Sequence, residues 1–336
     1  MSKTVFILGA GASISHSQGD FPSYNEFFLK AKTLGLINDK NSDDKDLIDY
    51  IIEVMKIDIL NEKSTVDIER LMTFMDIEIE NANNRESYKI QIIKERLLKI
   101  IIMLFEELSK NLKVKKGDYN DFIKKIEDNH TVITFNWDLL LDRILKGKKQ
   151  YEKLDDLILS EMDLINFNKP INSELLSNNG YYLKLHGSID WQYCPNSNCD
   201  AYNKILISKG KVCGRCFKSF NRLIIPPIIN KQYKTYPFIE KLWTLAYIQL
   251  DVAQEVVIWG YRLPPTDFYS NWLLSKTSNN VKKVSIVNLD CILSGKGKDI
   301  RLNRKNFLNP FYDIYGEKKI VLYKNYQDYL REKRIK

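Results

Sequence analysis

Four cysteines stand in the pattern Cys194-x4-Cys199-x13-Cys213-x2-Cys216. Two close pairs of thiolates suit a closed, tetrahedral Zn²⁺ site of structural type, with no coordination position left for a substrate. Cys291 stands apart and reads as a buried apolar residue. The other chemistry-bearing residues fall in short polar clusters. Gly9-Ala10-Gly11-Ala12-Ser13 follows an apolar run. Glycines there let a backbone approach a pyrophosphate, or simply make a tight turn, and Ile14 takes the place of a dinucleotide fingerprint's third glycine. Asn136 and Asp138, two positions apart, point to one side if the chain is extended. An Asp can hold an amide NH₂ and an Asn can orient a hydroxyl or a water, while Asp138 can equally cap a helix over Leu139–Leu145. His186, beside Gly187, is one of three histidines and has the titration range of a general base; a structural role is the plain alternative. Gly260 opens a loop running to Asp267, and Asn288 and Asp290 are candidates for a ribose hydroxyl or ordinary loop residues.

These clusters follow segments that read as strands. Continuous apolar or β-branched runs cover Thr4–Leu8, Thr131–Phe135, Tyr181–Leu185, Leu223–Pro226, Glu255–Trp259 and Val281–Leu289. Between the first two, apolar residues at helical intervals predict helices over Asp46–Ile57 and Val66–Ile79 and one long helix over Arg85–Leu112; another is expected over Trp243–Ala253. Strands alternating with helices define an α/β fold, a doubly wound parallel sheet. Ligands of such sheets bind beyond the carboxyl ends of the strands, where the polar clusters fall.

Composition narrows the class. The 336 residues are 44% hydrophobic and 28% charged, with a net charge of +8. That excludes a disordered or fibrous chain. Basic residues are spread out apart from the tail Arg331–Lys336, which argues against nucleic-acid binding. No apolar run reaches the ~18 residues of a membrane span, and the N-terminus lacks a signal-peptide layout, so a cytoplasmic protein is expected. The run Ile100–Phe105 is apolar on successive positions and predicts either burial in a helical lobe or a contact between copies, a homo-oligomer.

Taken in order, the clusters resemble the sirtuin superfamily. Its markers are a Gly-Ala-Gly-x-Ser turn, Thr-x-Asn-x-Asp and His-Gly-Ser strand ends, a four-Cys zinc module, a Gly-x-Ser-Leu loop and a late Asn. Here they stand as Gly9–Ser13, Thr134–Asp138, His186–Ser188, Cys194–Cys216, Gly260–Leu263 and Asn288, spread over Thr4–Asp290. The texture is most similar to the bacterial sirtuin-like branch of antiphage NAD⁺ hydrolases. The arginine that deacylases carry after Asp20-Phe21 is absent, Ile228-Ile229-Asn230-Lys231 stands where their peptide-pairing stretch would be, and Arg262 replaces a Ser.

The resemblance implies a Rossmann-like NAD⁺ domain over 1–20, 128–190 and 222–295, a helical insertion over 21–127, a zinc ribbon over 191–221 and a C-terminal extension over 296–336. It implies His186 and Asn136 as catalytic residues. Gly9, Ala10, Gly11, Ser13, Thr134, Asp138, Gly260 and Asn288 would bind NAD⁺, and Cys194, Cys199, Cys213 and Cys216 a structural Zn²⁺. The activity implied is cleavage of NAD⁺ to nicotinamide and ADP-ribose, gated by a separately encoded sensor or ATPase partner. An NAD-dependent protein deacylase and a non-catalytic NAD or ADP-ribose sensor are the alternatives.

Overall fold

The structure, a computed structural model, describes residues 3–23, 26–61, 64–110, 116–146, 179–202, 205, 207, 210–225, 236–265, 267–292 and 298–332. The stretch 228–231 singled out in the sequence lies outside the described residues, as does the end of the basic tail.

β1 (Thr4–Leu8) is buried at every position and sits in the middle of a six-stranded parallel sheet. β2 (Thr131–Thr134) and β3 (Tyr182–Lys184) extend the sheet on one side of β1. The chain then forms a small antiparallel pair, β4 (Gly187–Tyr193) with β5 (Asn221–Ile224). It returns to the sheet on the other side of β1 with β6 (Glu255–Trp259), β7 (Lys283–Val287) and β8 (Ile320–Tyr323). The order β3-β2-β1-β6-β7-β8 reverses direction between β1 and β6. In an open α/β sheet that reversal leaves a crevice at the strand ends, since the connections on its two sides leave in opposite directions.

The sheet departs from the sequence reading in two places. Leu223–Pro226 was expected to be one of its strands, but Leu223 and Ile224 belong to β5 in the small pair. The last strand, β8, comes instead from the segment read as a C-terminal extension; its run of four apolar residues forms an edge strand, of which only Tyr323 is buried.

The helices follow the expected spacing. α1 (Ala10–His16) starts directly after β1. A helical layer then comprises α2 (Phe27–Thr33), α3 (Ser42–Met55), α4 (Ile68–Asn81), α5 (Asn84–Lys110) and the short α6 (Asp118–Phe122). Asn41 accepts from the N–H groups of Asp43 and Asp44, and Asp67 from that of Arg70, so both α3 and α4 begin on a side-chain cap. Ile100, Ile101 and Leu104 of α5 are fully buried and Ile102 and Phe105 partly so. Half of the apolar run is therefore covered by its own chain. α7 (Leu140–Leu145), α8 (Pro237–Asp251), α9 (Phe268–Lys276), α10 (Lys298–Tyr315) and α11 (Tyr326–Leu330) complete the flanking helices. No helix among the described residues is long and apolar enough to cross a membrane.

At the reversal point the β1–α1 turn and the loop after β6 lie backbone on backbone. Gly9 N–H donates to Trp259 O and Gly11 N–H to Gly260 O, each at 3.0 Å. A Cβ on Gly9 would sit 2.6 Å from Gly260 O, one on Gly11 2.7 Å from Gly260 Cα, and one on Gly260 2.2 Å from Ala12 N. Gly260 also has φ +65°, a conformation other residues adopt at a cost. Gly260→Ala is therefore expected to lower stability by about 2–4 kcal/mol. Urea denaturation of the variant measures it, and a shift within about 0.5 kcal/mol would contradict this packing.

Candidate functional site

The ends of β1 and β2 form one buried hydrogen-bond cluster. Asp138, 6% exposed, accepts from Ser13 Oγ at 2.7 Å through Oδ2 and from Leu140 N–H at 2.9 Å through Oδ1. Having donated to Asp138, the Ser13 hydroxyl acts as acceptor for Tyr119 O–H at 2.9 Å and for Asn136 Nδ2 at 3.1 Å. Its capacity is then full. Burial first, then the Asp138 carboxylate, pushes the Tyr119 phenol well above its ordinary range and keeps it a donor. Asn136 Nδ2 also donates to Gly9 O at 2.9 Å, and Asn136 N–H to Thr134 Oγ1 at 3.1 Å. The Asn136 amide is thus held by its nitrogen, and Oδ1 remains for a ligand or water.

Beneath the cluster lies a buried ion pair. Lys184 on β3, fully buried, donates to Asp138 O at 2.7 Å and to Asp142 Oδ2 at 3.0 Å, and Tyr182 O–H donates to the same Asp142 oxygen at 3.0 Å. Burial raises the Asp142 pKa, with Lys184 opposing the rise. The sequence reading passed over both charges, since a Lys inside a strand run reads as solvent-facing until its neighbours are known.

Ala10, Ser13, Asn136, Trp137 and Asp138 line a cleft. Its other walls are aromatic or apolar and come largely from the helical layer: Phe21, Phe27, Ile68, Phe105 and Phe135. Its volume is about 40 Å³, room for about three waters. Seating a flat ring there requires walls such as Phe21 and Phe105, whose rings stack at 5.9 Å, to part. Phe105, which lines the cleft, and Tyr119, which meets Ser13, carry no signal as site residues in the sequence, because they arrive from helices distant along the chain.

His186 does not line the cleft. Its ring packs on Phe135 at 4.9 Å, and Phe135 does. His186 Nε2 lies 3.7 Å from Asp267 Oδ2, which also accepts from Tyr261 O–H at 2.9 Å. Asp267, 2% exposed, caps α9 as well and is a partner for His186. Gly187, with φ +75°, brings β4 against β5: a Cβ there would lie 2.2 Å from Leu223 O. Asn288 stands on the same rim at the end of β7, its N–H donating to Tyr323 O and its Oδ1 accepting from Asp290 N–H. Gly260 N–H donates to Val287 O, tying the β6 end to β7. The glycine amides that pointed to a phosphate, Gly9 and Gly11, bind the neighbouring loop instead. The amide of this turn without a partner among the described residues is that of Ala10.

The four cysteines converge between β4 and β5. All four sulfurs lie within 4.8 Å of one another, with Cys194–Cys216 at 3.4 Å and Cys199–Cys213 at 3.8 Å. A tetrahedral Zn–S₄ site has sulfur–sulfur edges of ~3.8 Å, so the residues fit the metal. The backbone N–H of Lys218 favours the Cys216 thiolate and holds its pKa down at about 6.

No protein-family model matches the sequence, and no curated protein matches it. Among solved structures, Sir2 in complex with the inhibitor EX-527, 2′-O-acetyl-ADP-ribose and a deacetylated p53 peptide is 15% identical. It matches with a TM-score of 0.37 over 98% of this chain and 91% of that one. A Sir2 homolog–NAD complex is 11% identical with a TM-score of 0.38, over 93% and 90% of the two chains. A Sir2–p53 peptide–NAD⁺ complex is 14% identical with a TM-score of 0.35, over 98% and 90%. Likeness this loose decides nothing about chemistry, which rests on this chain's own residues.

Two outcomes follow from this geometry. Purified protein should carry one zinc per chain by metal analysis, and Cys199→Ser should lose the metal and unfold the ribbon locally; a metal-free protein with four freely reactive thiols contradicts the site. Lys184→Met should cost about 3–5 kcal/mol at neutral pH, because it strands a buried carboxylate. Asp142's folded pKa lies above its unfolded one, so its ionisation opposes folding as pH rises through the folded value and not below the unfolded value. Without Lys184 the folded pKa climbs further. The deficit, read by urea denaturation, should therefore shrink as the pH falls through the carboxylate range; a pH-independent deficit contradicts the pairing.

Proposed function

We propose that the protein is an NAD⁺ hydrolase of sirtuin-like type, releasing nicotinamide and ADP-ribose. The observation that carries the reading is the buried Ser13–Asn136–Asp138 cluster on an aromatic-walled cleft at the reversal point of a parallel sheet. Such a cleft suits the flat ring and amide of nicotinamide. The C1′–N bond breaks with its electron pair moving to the ring nitrogen, so nicotinamide leaves neutral and unprotonated. Water attacks the oxocarbenium-like C1′, as in glycoside hydrolysis, and its proton leaves to a base.

Roles follow from what each group has left to offer. Asp138 accepts from the carboxamide NH₂ with a remaining lone pair. Asn136 Oδ1 orients the ribose or the attacking water. His186, held by Asp267, is the base, acting through a water or a ribose hydroxyl across Phe135. The Ala10 amide faces the diphosphate, and Asn288 serves the adenosine ribose. Gly9, Gly11, Thr134, Gly260 and Ser13 position these groups. An enzyme of this kind depletes cellular NAD⁺ and must be gated. The biological role that fits is an antiphage effector released by a partner, a sensor or ATPase, in the cytoplasm. The brake is the aromatic closure of the cleft from the helical layer, since small shifts there misplace Asn136.

The test is purified protein with NAD⁺, with products read by mass spectrometry. Nicotinamide and ADP-ribose are expected in equal amounts with no acylated peptide present. Asn136→Ala should abolish turnover, and His186→Ala should lower it by about 10²–10⁴-fold. Asp267→Asn should lower kcat by about 10-fold with KM little changed, as for a residue that orients a base. Nicotinamide release in step with deacylation of an acyl-lysine peptide, and none without it, would establish the deacylase alternative instead.

A further inference from the structure

Tyr261, Asp267 and His186 meet in one buried corner behind the cleft wall, none of them more than 6% exposed. One carboxylate oxygen faces both rings. Asp267 Oδ2 accepts from Tyr261 O–H at 2.9 Å and lies 3.7 Å from His186 Nε2. The other oxygen, Oδ1, takes a longer bond, from Ser270 N–H at 3.4 Å. The terminal torsion of an aspartate is broad, so its carboxylate turns about Cβ–Cγ unless its partners stop it. The phenol makes the shorter of these two bonds, and it is the one that aims Oδ2 at the imidazole.

The backbone is bent to make this meeting. Tyr261 and Asp267 stand on the loop after β6, and Leu263 between them, 2% exposed, has φ +48°, a conformation few non-glycine residues adopt. Asp267 N–H closes the loop on Pro264 O at 2.9 Å. A turn of this kind costs free energy and persists only where its surroundings hold it. Tyr261 is fixed in its turn. A Cβ on Gly9 would lie 2.6 Å from the Tyr261 Cα, and the phenol ring stacks on Phe135 at 4.4 Å and 25°. His186 rests on the same Phe135 ring at 4.9 Å, with Trp243 at 6.4 Å. Phe135 is thus a common spacer for the phenol and the imidazole.

We propose that Tyr261 is a positioning residue for the base: its O–H holds the Asp267 carboxylate toward His186 and so fixes which imidazole nitrogen takes the proton. The inference rests on the NAD⁺-hydrolase reading above, and extends it to the side chain that orients the base. At 3.7 Å His186 and Asp267 are at ion-pair distance, and a shift of about 1 Å makes a hydrogen bond. Catalytic bonds often tighten in this way only with substrate bound. With a carboxylate on the Nε2 side, the neutral imidazole keeps its proton on Nε2 and its lone pair on Nδ1. Nδ1 then takes the proton of the attacking water or of a ribose hydroxyl, and the carboxylate faces the imidazolium that forms. Without the phenol the carboxylate is released to turn, and the tautomer is no longer fixed.

The experiment is steady-state hydrolysis of NAD⁺ by the full chain. Tyr261→Phe, Asp267→Asn and the double variant are compared, together with a chain carrying 4-aminophenylalanine in place of Tyr261. Tyr261→Phe keeps the ring on Phe135 and loses the O–H. It should lower kcat by about 5- to 10-fold, with KM changed by less than about 2-fold, because one hydrogen bond is lost and no contact with substrate. In the Asp267→Asn background the same change should cost less than about 2-fold more, because the phenol acts through the carboxylate. The aromatic amine also donates, so 4-aminophenylalanine should restore most of the parent kcat. Independently of turnover, imidazole ¹⁵N spectra resolve His186, one of three histidines. At a pH where the ring is neutral, the proton should sit on Nε2 in the parent and the 4-amino form, and be shared between tautomers in Tyr261→Phe. The proposal is overturned if Tyr261→Phe leaves kcat and the tautomer unchanged, or if the losses of Tyr261→Phe and Asp267→Asn multiply. It is overturned equally if the 4-amino form, folded and with its donor in place, is as impaired as Tyr261→Phe. Absence of NAD⁺ turnover in the parent overturns the hydrolase reading instead, and the ¹⁵N tautomer then decides by itself whether Tyr261 orients His186.

Discussion

A carboxylate taken out of water has to be hydrogen-bonded, and the arrangement around Asp138 follows from that requirement. Its two oxygens are met by Ser13 from α1 and by Leu140 at the start of α7. Its own carbonyl is met by Lys184 from β3. Ser13 can serve Asp138 only with its lone pairs covered in turn, by Tyr119 from α6 and by Asn136. One buried charge thus ties together the ends of three strands and the last helix of the helical layer. Each bond is ordinary, but a partly satisfied buried network is worse than an apolar one, so the members stand or fall together.

The network also links the site to parts of the chain far from it. Tyr119 stacks on His16 at 4.7 Å and meets Trp259 edge-on at 5.3 Å. Trp259 stacks on Tyr326 of α11 at 4.3 Å, and Gln327 of the same helix donates to Asp118 at 2.9 Å and Asp121 at 3.1 Å. The final helix therefore clamps α6, and α6 carries the phenol that orients Ser13. A segment that reads as an appendage thereby holds one wall of the cluster and, through β8, one edge of the sheet.

The helical layer plays two parts at once. Asp44 of α3, 2% exposed, is held by Arg96 of α5 at 2.6 Å and by Asn38 N–H at 2.9 Å. α3 is thereby fixed on α5, whose inner side delivers Phe105 to the cleft. Whatever shifts α5 shifts a wall of the cleft. Closing an apolar cleft with aromatic rings excludes water from the reacting centre, which strengthens every polar contact inside it. The same closure must yield before a dinucleotide can bind.

Much of this was legible along the chain. Buried strands reveal themselves as continuous apolar runs, and Thr4–Leu8, Thr131–Phe135 and Glu255–Trp259 read as strands because parallel strands are covered on both faces. The four cysteines were legible because metal-ligand spacing is local, and the helices because their apolar period is. Asn136 and Asp138 were recognisable as a pair because two residues of one strand end share a side. What the sequence could not disclose is who meets whom across the fold. Leu223–Ile224 pairs with β4 and Ile320–Tyr323 closes the sheet, a choice made by pairing partners and not by propensity. Gly9 and Gly11 read as phosphate-binding residues and turn out to pack against Gly260, because only the crossing of two loops reveals where a Cβ would clash. Asp267 beside His186 and Tyr119 on Ser13 exist only once distant segments are brought together. Hydrogen bonds and burial are properties of that three-dimensional neighbourhood, which residue type and spacing do not encode.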